Sequence, residues 1–154
     1  MNHNQLNNFK KLKLVIIAKS ESDTWDKAKL EWDIADIEEV EESEEYVCGH
    51  SPIKEVTILV NSKNNNCLRI GNRCSNHFVH TGQLFNSYKR VKQYPNKSVN
   101  IKLLEFARKK NWISQKDYDY YANIIHKRKL SDRQRKWKND INEKIISNIT
   151  PPTA

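Results

Sequence analysis

Residues 46–78 read YVCGHSPIKEVTILVNSKNNNCLRIGNRCSNHF, and this stretch decides the predicted fold. Apolar residues alternate with others through 56–60 and again through 68–70, which is the two-residue period of a β-strand. Asn, Ser and Lys between 61 and 66 supply the chemistry of a turn. The sequence therefore predicts a β-hairpin here, followed by a helix that starts near Arg73.

Soft metal ligands flank the predicted hairpin on both sides. Cys48 and His50 precede it. Cys74 and His77 stand three residues apart in the first turn of the following helix, and so on one helical face. Four thiolate and imidazole ligands suit a closed tetrahedral zinc site, with Cys67 as a spare candidate ligand. The alternative is that the cysteines of both pairs are small buried side chains and the histidines are surface residues.

The order of ligand pair, hairpin and helix resembles a treble-clef zinc finger. Such a finger usually has Cys-x-Cys-Gly or Cys-x-x-Cys-Gly at its knuckle, whereas Tyr46 stands here where the first Cys is expected. His50 offers a replacement ligand. The resemblance implies a zinc ion as cofactor, which would add folding energy to a small unit. Its ligands would be Cys48, His50, Cys74 and His77.

Residues 21–45 carry twelve acids and two lysines, a local charge of −10. A helix is predicted over about 23–42, because Ser22 or Asp23 can cap it and acids crowd its first turn, as the helix dipole prefers. Before it, 9–20 within the N-terminal segment 1–20 suits either a short strand or the first turns of a helix. The acidic helix would offer a partner face of seven carboxylates: Glu31, Asp33, Asp36, Glu38, Glu39, Glu41 and Glu42.

Residues 83–154 form a basic region with 17 bases and six acids, a local charge of +11. Apolar spacing predicts helices over 83–94 and 101–110. Capping boxes at 114–117 and 131–134 predict two further helix starts. The chain as a whole has a net charge of +8, so this figure hides two blocks of opposite sign.

The predicted fold is α+β: a treble-clef-like β-hairpin plus helix, with an acidic N-terminal helix and a helical C-terminal part. At 154 residues the chain suits one domain or a small module with appendages. The predicted segments are an N-terminal segment 1–20, an acidic helix 21–45, a treble-clef-like zinc unit 46–82 and a basic helical region 83–154.

Several motifs follow one another in a recognisable order. They are Trp-x-x-Ala-x-x-Glu-Trp at 25–32, Cys-Gly-His at 48–50, Ile-Gly-Asn-x-Cys-x-x-x-Phe at 70–78 and Leu-Ser-x-x-Gln at 130–134. Over roughly 25–146 the chain resembles a loose group of small, uncharacterised phage and prophage proteins with a treble-clef-like zinc finger. The Lys, Asn and Ile content suits an AT-rich phage genome. The group implies no settled activity.

Most enzyme classes are disfavoured by the sequence. The three glycines, Gly49, Gly71 and Gly82, form neither a P-loop nor a dinucleotide-binding motif. A His-metal finger nuclease is a third hypothesis, since His77 and Asn76 lie near the predicted helix and His80 lies just beyond it. Such a nuclease needs a general-base His on the hairpin, and the hairpin sequence contains none. A non-enzymatic protein is therefore expected.

The expected activity is binding to nucleic acid or nucleoprotein through the basic helical face, because Lys and Arg neutralise phosphates. Interleaved aromatic residues such as Tyr94 and Trp137 either stack on unpaired bases or pack in the core. The candidate binding residues are Lys89, Arg90, Lys92, Arg108, Lys109, Lys110, Lys127, Arg128, Lys129, Arg133, Arg135 and Lys136.

An alternative function is inhibition of a host defence complex by protein–protein binding, as an anti-CRISPR protein would do. The acidic helix would then present carboxylates in place of phosphates to a cationic nucleic-acid channel. An acidic helix folded onto the chain's own bases is an equally open interpretation. The expected partners are thus nucleic acid or a host nucleoprotein complex.

Membrane insertion is not expected. The longest strongly apolar run, Leu14–Ala18, is far shorter than the ~20 residues that span a bilayer, and no signal peptide opens the sequence. An odd number of cysteines, three, suits a reducing compartment. We expect a cytoplasmic location, in the host cell if the protein is phage-encoded.

Overall fold

The computed structural model describes residues 3–44, 53–71, 75, 79 and 81–150. It divides the chain into two units, Met1–Gly82 and Gln83–Ala154. Each unit buries its own set of apolar side chains, so each can be understood from its own packing.

The first unit combines a helix with an antiparallel sheet. Its elements are α1 (His3–Ala18), α2 (Trp25–Ala28), a 3-10 turn (Lys29–Glu31), β1 (Trp32–Glu44), β2 (Ile53–Asn61) and β3 (Cys67–Gly71). The strands lie in the order β1-β2-β3, so neighbours in the sheet are also neighbours in the sequence. The predicted hairpin is confirmed as β2 and β3. Of the segment 9–20, which suits a strand or a helix by sequence, residues 9–18 belong to α1.

The core of the first unit joins α1 to one face of the sheet. Leu59 of β2 is paired with Leu68 of β3. Both are buried in one cluster with Leu12 and Ile16, whose spacing of four puts them on the same side of α1. Burying each such side chain stabilises the fold by about 1.5–3 kcal/mol. Helix α1 therefore covers the sheet face that carries Leu59.

The prediction of an acidic helix over 21–45 is wrong. Trp25–Ala28 is one helical turn, and Trp32–Glu44 is a long β-strand. Ser22, one of the two predicted caps, instead donates its backbone N–H to Oε2 of Glu31 at 3.0 Å. Strand pairing with β2 outweighs the weak β-propensity of a segment rich in Asp and Glu.

A β-bulge explains why the strand resembles a helix in sequence. The pairing of β1 with β2 shifts between Ile34 and Asp36, so Ala35 is an extra residue. The bulge lengthens the spacing between positions on one face from two residues to three. Trp32, Ile34 and Ile37 thereby acquire a mixed spacing that imitates the apolar stripe of a helix.

The second unit is built from helices. They are α3 (Gly82–Gln93), which starts at the last residue of the first unit, α4 (Ile101–Lys109), α5 (Gln115–Ile124) and α6 (Asp132–Ile149). Both predicted capping boxes are confirmed, at the starts of α5 and α6. The largest buried side chains include Phe85, Tyr88, Leu103, Leu104, Tyr121 and Ile141.

A mixed fold of helices and an antiparallel sheet is thus confirmed. The predicted zinc knuckle and the helix start near Arg73 lie outside the described residues, so the treble-clef interpretation stays a prediction. The described helices include none that is long and apolar enough to cross a membrane.

Candidate functional site

A cleft of about 440 Å³ opens where α5 connects to α6. Positive charge dominates it, and no carboxylate is among its described lining residues. We call it the basic cleft. It is lined by Asn96, Lys127, Arg128, Lys129, Leu130, Arg135 and Lys138. Cations gathered around one concave surface attract anionic ligands, because the low-dielectric walls focus the field.

Local hydrogen bonds hold the cationic segment Lys127–Lys129 in place. The backbone N–H of Lys127 donates to the carbonyl of Ile124 at 3.0 Å, where α5 ends. Ser131 begins α6 with a capping box: its Oγ accepts from the N–H of Gln134 at 3.1 Å, and its N–H donates to Gln134 Oε1 at 2.9 Å. The segment is thus anchored at both ends. Its three cationic side chains are exposed to solvent.

Arg135 adds a guanidinium from the first turn of α6. Its Nη2 lies 2.8 Å from Oδ1 of Asp132, and both side chains are exposed. An exposed ion pair contributes only about 0–1 kcal/mol, because water and salt screen it. A phosphate can therefore replace Asp132 as the partner of Arg135 at little cost.

Lys138 is the buried cation of the basic cleft, with 7% of its surface exposed. Its Nζ donates to the carbonyl of Asn96 at 2.7 Å and to Oγ of Ser98 at 3.5 Å. Burial, and then the positive charge of Lys97, lower the pKa of Lys138. Both effects disfavour the charged ammonium, so an anion bound in the cleft would stabilise it.

A polar network holds residues 95–100, one wall of the basic cleft. Asn142 of α6 donates its amide hydrogens to two carbonyl oxygens of this segment, at 2.8 and 3.0 Å. Tyr121 donates its hydroxyl to Oδ1 of Asn142 at 2.7 Å and accepts the N–H of Val99 at 2.9 Å. Burial raises the pKa of Tyr121 to about 12, so the phenol remains a donor at neutral pH.

A second cleft, of about 530 Å³, lies beside the basic cleft. We call it the amide cleft. It is lined by Asn86, Ser87, Arg90, Ser98, Val99, Asn100, Ile101, Ile125 and His126. The two clefts use the same two stretches of chain, since Asn96 and Ser98 are two residues apart and His126 directly precedes Lys127. They are therefore neighbours on one surface of the second unit.

Some polar groups of the amide cleft are already hydrogen-bonded within the protein, and others are not. Asn100 caps α4 through its Oδ1, and its backbone N–H donates to Oγ of Ser87 at 2.9 Å. Asn86, Arg90 and His126 are exposed, and within the described part of the chain no hydrogen bond engages their side chains. These three side chains can therefore meet a ligand.

The structure brings part of the predicted basic surface together. Lys127–Lys129 and Arg135 share the basic cleft, and Arg90 lines the amide cleft. Sequence reasoning missed Asn96, which tertiary packing brings to the cleft. It also missed His126, although its place before a Lys-Arg-Lys run was a usable signal. Neither cleft's described lining includes the remaining candidates: Lys89, Lys92, Arg108, Lys109, Lys110, Arg133 and Lys136.

Aromatic residues of the basic region largely serve packing. Tyr120 stacks on Trp137 with ring centroids 3.8 Å apart, and Nε1 of Trp137 donates to Oδ1 of Asp117 at 3.1 Å. Burial raises the pKa of Asp117, but hydrogen bonds from Trp137 and Lys144 outweigh it and lower the pKa overall. Tyr94 is different, because 54% of its surface is exposed.

The carboxylates predicted as the acidic partner face do not all lie on one face of β1. Asp33, Asp36 and Glu38 alternate with apolar residues and share one face of β1 once the bulge is allowed for. Glu38 Oε1 lies 2.7 Å from Nη1 of Arg69. Glu39 is on the opposite face. Two further candidates have side chains outside the described set: Glu41 and Glu42.

Glu31 is buried and completes the fold of the first unit. Its Oε1 accepts the N–H of Glu21 at 2.9 Å and the amide of Asn61 at 3.1 Å, and its Oε2 accepts the N–H of Ser22 at 3.0 Å. The bond from Glu21 is the strongest reason that the pKa of Glu31 falls to about 2. We therefore leave Glu31 out of the acidic partner face.

The metal prediction rests on residues outside those described. Cys48, His50, Cys74 and His77 all lie in the gaps, so the zinc site stays a prediction. Among described residues, no group of three or more His, Cys, Asp or Glu converges as metal ligands do. Cys67, the spare candidate, is described and exposed at the start of β3.

No family model matches the chain, and no curated protein or solved structure is significantly similar to it. The resemblance to phage proteins therefore stays a prediction.

Proposed function

We propose that the chain is a small, non-enzymatic, phage-type protein that binds nucleic acid or nucleoprotein through its basic cleft. One observation carries this proposal: Lys127–Lys129 and Arg135 surround one concave surface whose described lining has no carboxylate. Phosphate is the anion that such a set suits best. Arg128 and Arg135 can each bind two phosphate oxygens, and the lysines add point charges.

The hydrogen bonds at both ends of the connection between α5 and α6 support a binding role. A short segment anchored by Ile124 at one end and by the Ser131 capping box at the other displays its cations without first having to be ordered. Less conformational entropy is lost when a ligand binds to such a segment. The burial of Lys138 beside Lys97 also indicates a site that an anion would stabilise.

A charge-reversal pair tests the proposal. The cleft variant carries Lys127→Glu, Arg128→Glu and Lys129→Glu. The control carries Lys10→Glu, Lys11→Glu and Lys63→Glu, which are exposed residues of the first unit with the same total charge change. Affinity for labelled DNA and RNA is measured by fluorescence anisotropy between about 50 and 200 mM salt.

We expect the wild-type protein to lose affinity steeply with salt, because phosphate binding releases counterions. The cleft variant should bind at least about 100-fold more weakly and flatten the log–log salt slope by about three. The control should change affinity far less. Equal losses in both variants would mean that only net charge matters, and the proposal would be wrong.

A second candidate function rests on the face of β1 that carries Asp33, Asp36 and Glu38. Carboxylates regularly spaced along a strand can stand in for the phosphates of a nucleic acid, so this face suits an anti-CRISPR-like inhibitor of a host defence complex. The test is a pull-down from host lysate treated with nuclease. Capture of one stoichiometric complex by the wild type, lost in Asp33→Lys and kept in a Glu21→Lys control, supports inhibition. Bulk nucleic acid that nuclease releases supports the basic cleft instead.

Zinc and location belong to the same proposal. We propose that Cys48, His50, Cys74 and His77 hold a structural zinc ion, and that the protein acts in the cytoplasm of a host cell. Metal analysis of untagged protein should find about one zinc per chain, as expected for a closed four-ligand site. Protein that purifies folded and essentially free of zinc would contradict the metal site.

A further inference from the structure

The amide cleft adjoins the basic cleft but has a different chemistry. Its cationic lining residue is Arg90, accompanied by His126, whereas the basic cleft is lined by a run of lysines and arginines. Its remaining walls are amide, hydroxyl and aliphatic groups. A phosphate would gain less charge stabilisation there than in the basic cleft. A planar, uncharged group with polar edges suits this cleft better.

The apolar walls have the right character for the face of a heterocycle. Ile101 leaves 40% of its surface exposed although it is a large aliphatic side chain at the start of α4. Ile125, partly exposed, lines the same cleft. Covering this surface with a flat ring removes apolar area from water, which favours binding by about 25 cal/mol per Å².

The polar edge of such a ring would form hydrogen bonds with three side chains that have no hydrogen-bond partner in the described part of the chain. Asn86 offers a donor and an acceptor side by side, the pattern that Asn uses to bind the edge of adenine. Arg90 adds donors, and His126 adds a donor and an acceptor when neutral. Because Asn100 and Ser87 are already bonded to each other, the polar walls behind these groups are preorganised.

Continuity of the chain links the two clefts. His126 lines the amide cleft, and Lys127, the next residue, lines the basic cleft. Consecutive Cα atoms are about 3.8 Å apart, so the two clefts adjoin closely enough for neighbouring parts of one strand to occupy them. A base can enter only if it is unpaired, since extracting one from a duplex costs free energy for unstacking and unpairing.

We propose that the amide cleft receives an unpaired nucleobase of a single-stranded nucleic acid whose phosphates occupy the basic cleft. This inference rests on the proposed function and narrows it from nucleic acid in general to single strands. Phosphates position the strand, and the contacts to the base distinguish a single strand from a duplex.

The test compares a single strand of about 12 nucleotides with the duplex of the same sequence, using Asn86→Ala with His126→Ala. Both residues are exposed, so folding should be unaffected. The matched control is Asn123→Ala with Gln93→Ala, two exposed polar residues that line neither cleft in the described part of the chain. Circular dichroism verifies that each protein is folded.

We expect the variant with Asn86→Ala and His126→Ala to bind the single strand about tenfold more weakly. Its salt slope should be unchanged, because a base contact is lost but no phosphate contact. Duplex binding should not change. Equal losses for both probes, or a flatter salt slope, would show that the cleft holds a phosphate and would overturn the inference. An unchanged affinity for the single strand would also overturn it while leaving the basic cleft intact. A wild-type protein that binds neither probe would overturn the proposed function as well.

Discussion

Glu31 of the first unit and Lys138 of the second are both buried, and their surroundings treat the charge in opposite ways. In the acidic first unit, Glu31 is surrounded by donors, so its pKa falls to about 2 and its charged form is stabilised. In the basic second unit, burial and the neighbouring Lys97 lower the pKa of Lys138, so its charged form is disfavoured. Hydrogen-bond donors of the first unit compensate the charge of Glu31, whereas Lys138 lies among other cations.

This difference separates a structural charge from a charge suited to a ligand. Glu31 ties the segment before β1 to Asn61 at the end of β2, so its interactions are satisfied when the unit folds. Lys138 is bonded to neutral oxygens and faces a cleft of cations. Ionisable residues whose surroundings disfavour their charged form are typical of functional sites. Substitutions at each site test this difference.

The largest effect is expected for Glu31→Gln. The variant keeps the size of the side chain but places an amide NH₂ against backbone N–H donors and removes the negative charge they favour. We expect this variant to lose more unfolding free energy than Asn142→Ala, Ser131→Ala or Lys138→Met. Urea denaturation at neutral pH measures it. A Glu21→Gln variant is the control, because Glu21 is exposed and contributes its backbone to the network.

The same residue predicts an acid dependence. The folded pKa of Glu31 is below its ordinary value of 4.5, so its contribution is complete above that pH. It should be lost progressively as pH falls from about 4.5 to about 2, because the unfolded chain then binds the proton more tightly. Comparing urea midpoints of the wild type and Glu31→Gln over this range isolates the contribution. A constant difference between the two proteins would contradict the lowered pKa.

Next in size is Asn142→Ala in the second unit. The substitution removes two donors to the carbonyls of segment 95–100 and the acceptor of the Tyr121 hydroxyl. Removing the partner of the buried Tyr121 hydroxyl and of two partly buried carbonyls should lower the unfolding free energy by about 3 kcal/mol. Thermal or urea unfolding provides the measurement, with exposed Asn123→Ala as control. Because the segment forms walls of both clefts, affinity for nucleic acid should fall as well.

A smaller effect is expected for Ser131→Ala. It removes the side-chain cap of α6, which should cost about 1 kcal/mol. The first turn carries Arg135 and should fray, so the salt slope of nucleic-acid binding should become slightly flatter. Ser147→Ala, on the exposed side of the same helix, is the comparison. If the two variants were equally stable, the cap would have no role in holding the cleft.

The smallest change in stability is expected for Lys138→Met. The variant loses the hydrogen bond to the carbonyl of Asn96 but also removes a disfavoured buried charge, so unfolding free energy should change by less than about 1 kcal/mol. In the wild type, stability should rise with pH between the lowered folded pKa and the ordinary value of 10.5, and Met should abolish that rise. Affinity for nucleic acid should fall nevertheless. A large destabilisation would place Lys138 with Glu31 as a structural charge.

Local signals predicted the parts of the fold that depend on neighbours in sequence. The capping boxes at Ser114 and Ser131 are four-residue patterns, and each marks a helix start correctly. The hairpin followed from alternation of apolar residues on both sides of an Asn-rich turn. These features could be read from sequence because the groups that decide them are a few residues apart.

Features that depend on distant contacts could not be predicted in the same way. Strand β1 is decided by pairing with β2, and its bulge conceals the strand period. The amide cleft joins Asn86 of α3 to His126 after α5, forty residues later in the chain. Lys127–Lys129 were identified from composition, but only packing shows that Arg135 and Asn96 lie beside them.

Ala35 gives the first unit a place where its length can vary. Residues on either side of it keep their partners on β2 whether or not the extra residue is present, because Ala35 itself has none in the ladder. Deleting it would leave Ile34 opposite Leu59 and Asp36 opposite Ile58. An evolutionary change that adds or removes one residue here would therefore leave the acidic and the apolar side chains of β1 on their present faces of the sheet.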